Sequence, residues 1–187
     1  MEQLELRFEL IAGDWEDLAR WISSEQWPFH LRTQPTFDDV LEQAGRGNFA
    51  SEEVRSFWVL QTPGPAAGFL RIFDIGDVTP LFDLRVRRSD RGQGVGTAAL
   101  RWATSHVFET LHEANRFAGY TRHDNVAMRR VFERCGFTPE AHHREAWRTD
   151  SGELVDCVGY AILRREWEET VEASTPAASK CPDERAT

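Results

Sequence analysis

The most restrictive stretch of this chain is Arg91-Gly92-Gln93-Gly94-Val95-Gly96, set between a strand-like segment (residues 81–86) and a segment with helical spacing (residues 95–109). Glycines at alternate positions let a backbone approach another molecule closely, and a helix start presents amides without intrahelical partners at the positive end of its dipole. Such a junction can cradle phosphate groups. Arg85, Arg87, Arg88 and Arg91 add positive charge beside it. Two other glycine motifs fail on spacing. A P-loop requires Lys-Ser/Thr after its last glycine, where this chain has Thr97-Ala98. A dinucleotide fingerprint requires G-x-G-x-x-G and an acid ~20 residues on. Here the spacing is G-x-G-x-G, and Ala114-Asn115-Arg116-Phe117 holds no acid. A plain turn opening a helix is the remaining alternative.

Around this loop the pattern alternates between sheet and helix. Leu4, Leu6, Phe8 and Leu10 alternate with polar residues as a half-buried strand. Asp14 opens a helix whose Trp15, Leu18, Ala19 and Ile22 share one face, and Thr36 caps a second, with Asp38 and Asp39 in its first turn. Thr62-Pro63-Gly64-Pro65 turns a hairpin. Residues 116–121 form a strand, and residues 125–135 form a helix ended by Gly136. Asp150-Ser151-Gly152 joins two strands, residues 141–148 and 154–163. The order β-α-α-β-β-β-α-β-α-β-β predicts an α/β or α+β sheet with helices on its faces.

The 187 residues, 41% apolar with seven Trp and twelve Phe, suit one domain over residues 1–171. The polar run EASTPAASKCPDERAT, residues 172–187, reads as a flexible tail. No apolar run approaches the ~20 residues of a membrane span, and MEQLELRFEL lacks the regions of a secretory signal. No membrane partner is expected. Cys135, Cys157 and Cys181 are odd in number with no C-x-x-C, so they fit neither a disulfide framework nor a zinc site, and a reducing cytoplasm is the expected setting. His142 and His143 are adjacent in a strand and face opposite ways, so no metal is expected. The net charge of −9 argues against a nucleic-acid partner. That charge is uneven. Residues 1–80 carry fourteen acids against six arginines, and residues 84–130 carry nine arginines against four acids. The first half suits a cationic partner and the middle suits an anion.

Arg91, Gly94 and Gly96 match the pattern Arg/Gln-x-x-Gly-x-Gly/Ala just after a strand, and Asn125-Val-Ala-Met-Arg-Arg-Val-Phe-Glu-Arg-Cys-Gly-Phe137 follows Asn-x-x-Ala/Ser-x-x-Leu-Tyr-x-x-x-Gly-Phe. Together these blocks resemble the GCN5-related N-acetyltransferases (GNAT), over most of residues 4–167. Length, early helices and final hairpin are most similar to the ribosomal-protein and aminoglycoside 6′-type members. The resemblance implies a mixed, mostly antiparallel central sheet of about seven strands flanked by about four helices. It also implies acetyl-CoA as cosubstrate and a primary amine as acceptor, whether a protein N-terminus, a polyamine or an aminoglycoside. Cofactor-binding positions carried over from it are Leu84 and Val86 for the pantetheine arm and an oxyanion-stabilising amide, with Arg91, Gln93, Gly94, Val95, Gly96 and Thr97 for the pyrophosphate. Asn125 and Arg130 complete the set. Homodimers are common among such proteins.

Acetyl transfer to an amine needs a proton acceptor, a stabilised oxyanion and a protonated leaving thiolate. Asp83, on the strand expected to cross the site, is the first choice of base, with Asp74 and Asp77 upstream as further acids near a cationic acceptor. The family's general-acid Tyr falls at Phe132, which has no proton to give, and Met128 replaces its Ala/Ser. Tyr120, His123, Tyr160 or water must then supply that proton. Trp27, Phe29 and His30 lie where relatives build the acceptor pocket, as an aromatic wall or as core. Cys135 reads as a packed thiol. A non-catalytic acyl-CoA-binding module or sensor is the alternative function.

Overall fold

The computed structural model describes residues 5–174; Leu4, Cys181 and residues 175–187 of the expected tail lie outside the described residues. Within them the chain runs β1 (Leu6–Leu10), α1 (Trp15–Ser23), α2 (Phe37–Gly45), β2 (Val54–Gln61), β3 (Ala66–Phe73), β4 (Leu81–Val86), α3 (Val95–Thr110), β5 (Arg116–Arg122), α4 (Val126–Arg134), β6 (Thr138–Arg148), β7 (Leu154–Leu163) and α5 (Arg164–Ser174). The seven strands form one sheet in the order β1-β2-β3-β4-β5-β7-β6. Every neighbouring pair is antiparallel except β4 with β5. This is the mixed, mostly antiparallel sheet expected from the sequence. Five helices flank it rather than about four, because α5 continues directly from β7 and runs into residues 172–174, assigned above to the tail.

Period-two alternation sends the side chains of β2 and β3 to two separate cores. Phe57 and Val59 of β2 with Leu70 and Ile72 of β3 face α3 and join Ala99, Leu100, Ala103 and Val107. Trp58 and Phe69, from the same two strands, face the other way and pack with Leu18 and Ile22 of α1 and Val40 of α2. The helix α2 starts where Thr36 and Asp39 form a reciprocal capping box, each side chain accepting the other's backbone N–H. At the far end of α3, the Arg164 guanidinium donates to the carbonyls of Phe108 (2.7 Å), Leu111 (2.8 Å) and Ala114 (2.9 Å). Phe108 lies in the last turn of α3 and Leu111 is its C-cap, so a half-buried cation there satisfies carbonyls left free at the helix end and complements its dipole.

Replacing that cation with a neutral chain of similar length leaves the carbonyls unpaired. Arg164→Met is expected to lower the unfolding free energy by about 1.5–3 kcal/mol, read from urea denaturation.

Candidate active site

The parallel neighbours β4 and β5 touch at a single register pair, Leu81 with Ala118, and separate beyond it. Which β4 amides face the resulting gap follows from alternation. The Arg87 N–H donates to Ala67 of β3 at 2.8 Å, whereas the Pro80 carbonyl accepts from Ala118 of β5 at 3.1 Å. Odd-numbered amides therefore serve β3, and those of Leu84 and Val86 face the gap.

The glycine loop arrives at the mouth of this gap. A short 3-10 turn, Arg88–Asp90, leads into Gly92 (φ 76°) and Gly94 (φ 90°), the N-cap of α3. Both dihedrals lie in the left-handed region that favours glycine. Gly94 provides no side-chain cap, and the helix ladder opens with the Ala98 N–H donating to the Gly94 carbonyl at 2.9 Å. The amides of Val95, Gly96 and Thr97 precede it, aligned at the positive end of a sixteen-residue helix. A Cβ at Gly96 would stand 3.6 Å from Val131 and 3.8 Å from Val86, so this glycine lies between α4 and the end of β4. Arg91 donates from Nε to the Val86 carbonyl (2.9 Å), and the Gln93 side chain returns to the Ser89 carbonyl (2.7 Å). Glu25, given no role by the sequence, steadies the loop by accepting the Arg88 N–H at 2.8 Å. An uncapped helix start beside a strand edge with open amides fits a diphosphate and an extended thiol arm.

Asn125 is the N-cap of α4. Its Oδ1 accepts the Met128 N–H (3.2 Å) and its Nδ2 donates to Thr121 (2.9 Å). Arg130 is exposed on α4.

A cavity of about 550 Å³ extends from the gap toward α1 and α2, lined by Leu84 of β4, Tyr120 and Thr121 of β5, and Asn125 and Met128 of α4. Its most polar part is built around Asp83. His30 Nε2 lies 3.0 Å from Asp83 Oδ1, Arg85 donates to Oδ2 at 3.3 and 3.4 Å, and Arg71 approaches to 3.9 Å. Burial pushes the Asp83 carboxyl up, but Arg85, His30 and Arg71 outweigh it and hold the group well below the usual carboxylate range. A carboxylate so stabilised is a weak proton acceptor. Asp83, expected from the sequence as the base, is thus better suited to anchoring His30. An ionised Asp83 can only accept, so His30 Nε2 is the donor of this bond, and His30 Nδ1 is buried and without a partner among the described residues. Chain position gave no sign of this pairing, since His30 and Asp83 are 53 residues apart.

The other candidates separate by strand parity. Gly119 points toward α4, where a Cβ would come within 2.6 Å of Phe82 and 2.9 Å of Phe132. Tyr120 therefore points to the α1–α2 face, lining the cavity with His30. His123 does not join them: its ring stacks on His142, 5.7 Å away, outside the cavity lining. Tyr160 stacks flat on Phe132 at 4.7 Å and accepts from Arg129 Nε at 3.3 Å, and it too is outside the lining. Phe132 itself is buried between Phe82 and Tyr160, which explains an apolar ring at that position. The aromatic loop splits. Phe29 and His30 line the cavity, whereas Trp27 is core, donating to the Ile22 carbonyl at 2.8 Å. Asp74 and Asp77 form a turn outside the lining, with Asp77 accepting the Thr79 N–H. Burial pushes the Cys135 thiol up to about 11, as expected of a packed, unreactive side chain.

Removing the Asp83 charge leaves Arg71 and Arg85 uncompensated. Asp83→Asn is expected to destabilise the fold by about 3 kcal/mol in urea. Because folding lowers the pKa of this group, its contribution is complete above about pH 4, that of an unfolded aspartate, and is lost as pH falls below it. The gap in stability between wild type and Asp83→Asn should therefore narrow toward pH 2–3, and a constant gap would exclude the ionised network.

Comparison with known proteins bears on the family and the fold. The acetyltransferase (GNAT) domain profile matches residues 4–138. A Bacillus subtilis (strain 168) protein, YdaF, which carries the provisional name of ribosomal N-acetyltransferase, is 27% identical over 162 residues, covering 86% of this chain and 85% of its own. Among solved structures, a spermidine N-acetyltransferase SpeG chimera of Vibrio cholerae and hSSAT superposes with a TM-score of 0.75 at 18% identity, covering 87% of this chain and 98% of that one. The Vibrio cholerae spermidine N-acetyltransferase in complex with CoA and spermine gives 0.70 at 19% identity, with the same coverage. At that identity the likeness is one of fold. Among the described residues, no helix is long and apolar enough to cross a membrane.

Proposed function

The chain belongs to the GNAT acetyltransferase family and is an acetyl-CoA-dependent N-acetyltransferase; from that premise we propose that its acceptor amine reacts in the cavity beside His30 and Asp83, at the gap between β4 and β5. One observation carries this reading. The lining of the cavity that contains the His30–Asp83 pair includes Leu84, whose amide faces the gap, and the uncapped start of α3 stands at the mouth of the same gap.

Acetyl-CoA, when bound, supplies an acetyl group activated as a thioester. In this proposal the amides of Val95, Gly96 and Thr97, with Gln93 and Gly94 before them, hold the diphosphate, and Arg91 and Arg130 add positive charge. The amides of Leu84 and Val86 hold the extended arm as a neighbouring strand would. One of them donates to the acetyl carbonyl oxygen, where preorganised donors lower the barrier most. Asn125 holds the start of α4 and retains one donor and one acceptor position for further hydrogen bonds. His30 accepts the amine proton at Nδ1, with Asp83 fixing its tautomer and favouring the imidazolium that forms. Tyr120, the phenol on the cavity wall, returns a proton to the leaving thiolate in place of a donor at residue 132. Among the described residues Cys135 and Cys157 form no disulfide, in keeping with the reducing cytoplasm proposed for this chain.

Two substitutions test the halves of the site separately. Gly94→Trp removes the left-handed turn and fills the cradle, so acetyl-CoA affinity measured by calorimetry should fall about a hundredfold or more. His30→Ala should lower kcat for amine acetylation by about 10²–10⁴-fold, with acetyl-CoA affinity changed less than about threefold and partial recovery on adding imidazole. A kcat near wild type would remove His30 as the base. Tight acetyl-CoA binding without thiol release across a broad amine panel would instead support a non-catalytic acyl-CoA sensor.

A further inference from the structure

The charges of the cavity run against the polycationic acceptor suggested by the acidic first half of the chain. Its lining holds three carboxylates, and each is already matched by arginine: Asp39 with Arg32, Glu42 with Arg46 at 2.5 Å, and Asp83 with Arg85 and Arg71. No unpaired carboxylate of this lining is left to replace the water around a second ammonium. The surplus is positive instead. Arg71 and Arg85 share the single carboxylate of Asp83 at 3.3–3.9 Å, longer than the 2.7–2.9 Å of a tight charge-assisted bond, and although Arg71 Nη1 also donates to the Asn48 carbonyl at 3.0 Å, that acceptor is neutral and leaves the charge unbalanced. Both guanidiniums are largely buried, with side-chain exposures of 23% and 14%. Among the described residues, Arg71 Nε and Arg85 Nη1 are buried and have no acceptor. Burying a cationic donor without an acceptor is unfavourable; of the four buried side-chain atoms left unpaired among the described residues, three (Arg71 Nε, Arg85 Nη1 and His30 Nδ1) belong to this one cluster, and such a concentrated deficit marks a place for a ligand group.

We propose that the Arg71–Arg85 pair is an anion-recognition subsite, and that the natural acceptor is a primary amine carrying a carboxylate or phosphate close to the reacting nitrogen. This rests on the acetyltransferase reading above and names the substrate class for it. Arg85 follows Leu84 in sequence, so the subsite adjoins the amide facing the gap, and His30 and the two arginines meet on opposite sides of Asp83. The amine is thereby placed at the base while its anionic group completes the guanidinium pair. A diamine meets repulsion at the same position, which excludes it more strongly than loss of a contact would.

The experiment compares matched amines on the wild-type protein with saturating acetyl-CoA: γ-aminobutyrate, n-butylamine and putrescine; β-alanine, propylamine and 1,3-diaminopropane; phosphoethanolamine and ethanolamine; and the dipeptide amides Ser-Asp and Ser-Asn. At least one anionic member should exceed its neutral and cationic partners in kcat/KM by about tenfold or more, as for a site whose polar groups otherwise stay unpaired. The carboxylate and phosphate arms identify which anion is taken. In Arg71→Gln and in Arg85→Gln the ratio should collapse toward one, and Arg71→Lys should retain part of it. If the variants do not fold, the wild-type ratios decide. No preference for any anionic member, including the absence of turnover throughout, overturns the subsite, as does an unchanged ratio in folded variants. Acetylation of butylamine or putrescine at rates matching the anionic amines overturns the subsite while leaving the acetyltransferase reading standing. Failure to bind acetyl-CoA removes that reading itself.

Discussion

Backbone amides must be paired, and the structure turns on a place where a sheet leaves them open. Beyond Leu81, β4 parts from β5, so the amides of Leu84 and Val86 face a gap instead of a neighbouring strand. This follows from the strands on either side, with β3 holding β4 along its full length and β7 holding β5 along its own. On the α3–α4 side of these two strands, Phe82, Phe117, Phe132 and Phe137 form one aromatic cluster.

The same separation distributes the chemistry. Apolar residues of β4, Phe82, Leu84 and Val86, pack toward α3, and the charged residues Asp83 and Arg85 face the loop after α1. One strand thus supplies open amides at its edge, a hydrophobic anchor on one face and an ionic network on the other. The network is coherent only as a group. Asp83 stays ionised because Arg85, His30 and Arg71 surround it, and His30 has a defined tautomer because Asp83 is ionised.

Much of the fold was legible because local signals agreed with one another. The capping pair at Thr36, the alternating strands and the glycine junction at Gly94 each work within a few residues, and each is found in place. The fifth helix was hidden because residues 164–174 are mostly charged and polar, with a weak apolar stripe from which Trp167 packs toward the core. The catalytic half of the site was less legible for a geometric reason. Asp83, His30, Arg71 and Tyr120 come from four separate segments, and sequence alone could not tell which face of β4 carries the charge. His123, attractive for its chemistry, sits one residue past the end of β5 and turns toward His142. Glu25 and the two buried arginines had no motif to reveal them.

The central claim concerns particular amides, so hydrogen–deuterium exchange with and without acetyl-CoA tests it most directly. The account predicts slowed exchange on binding at Leu84 and Val86 and at Val95, Gly96 and Thr97, with little change at Arg85, whose N–H already serves β3. Saturating acetyl-CoA that left these five amides exchanging as in the free protein would contradict it.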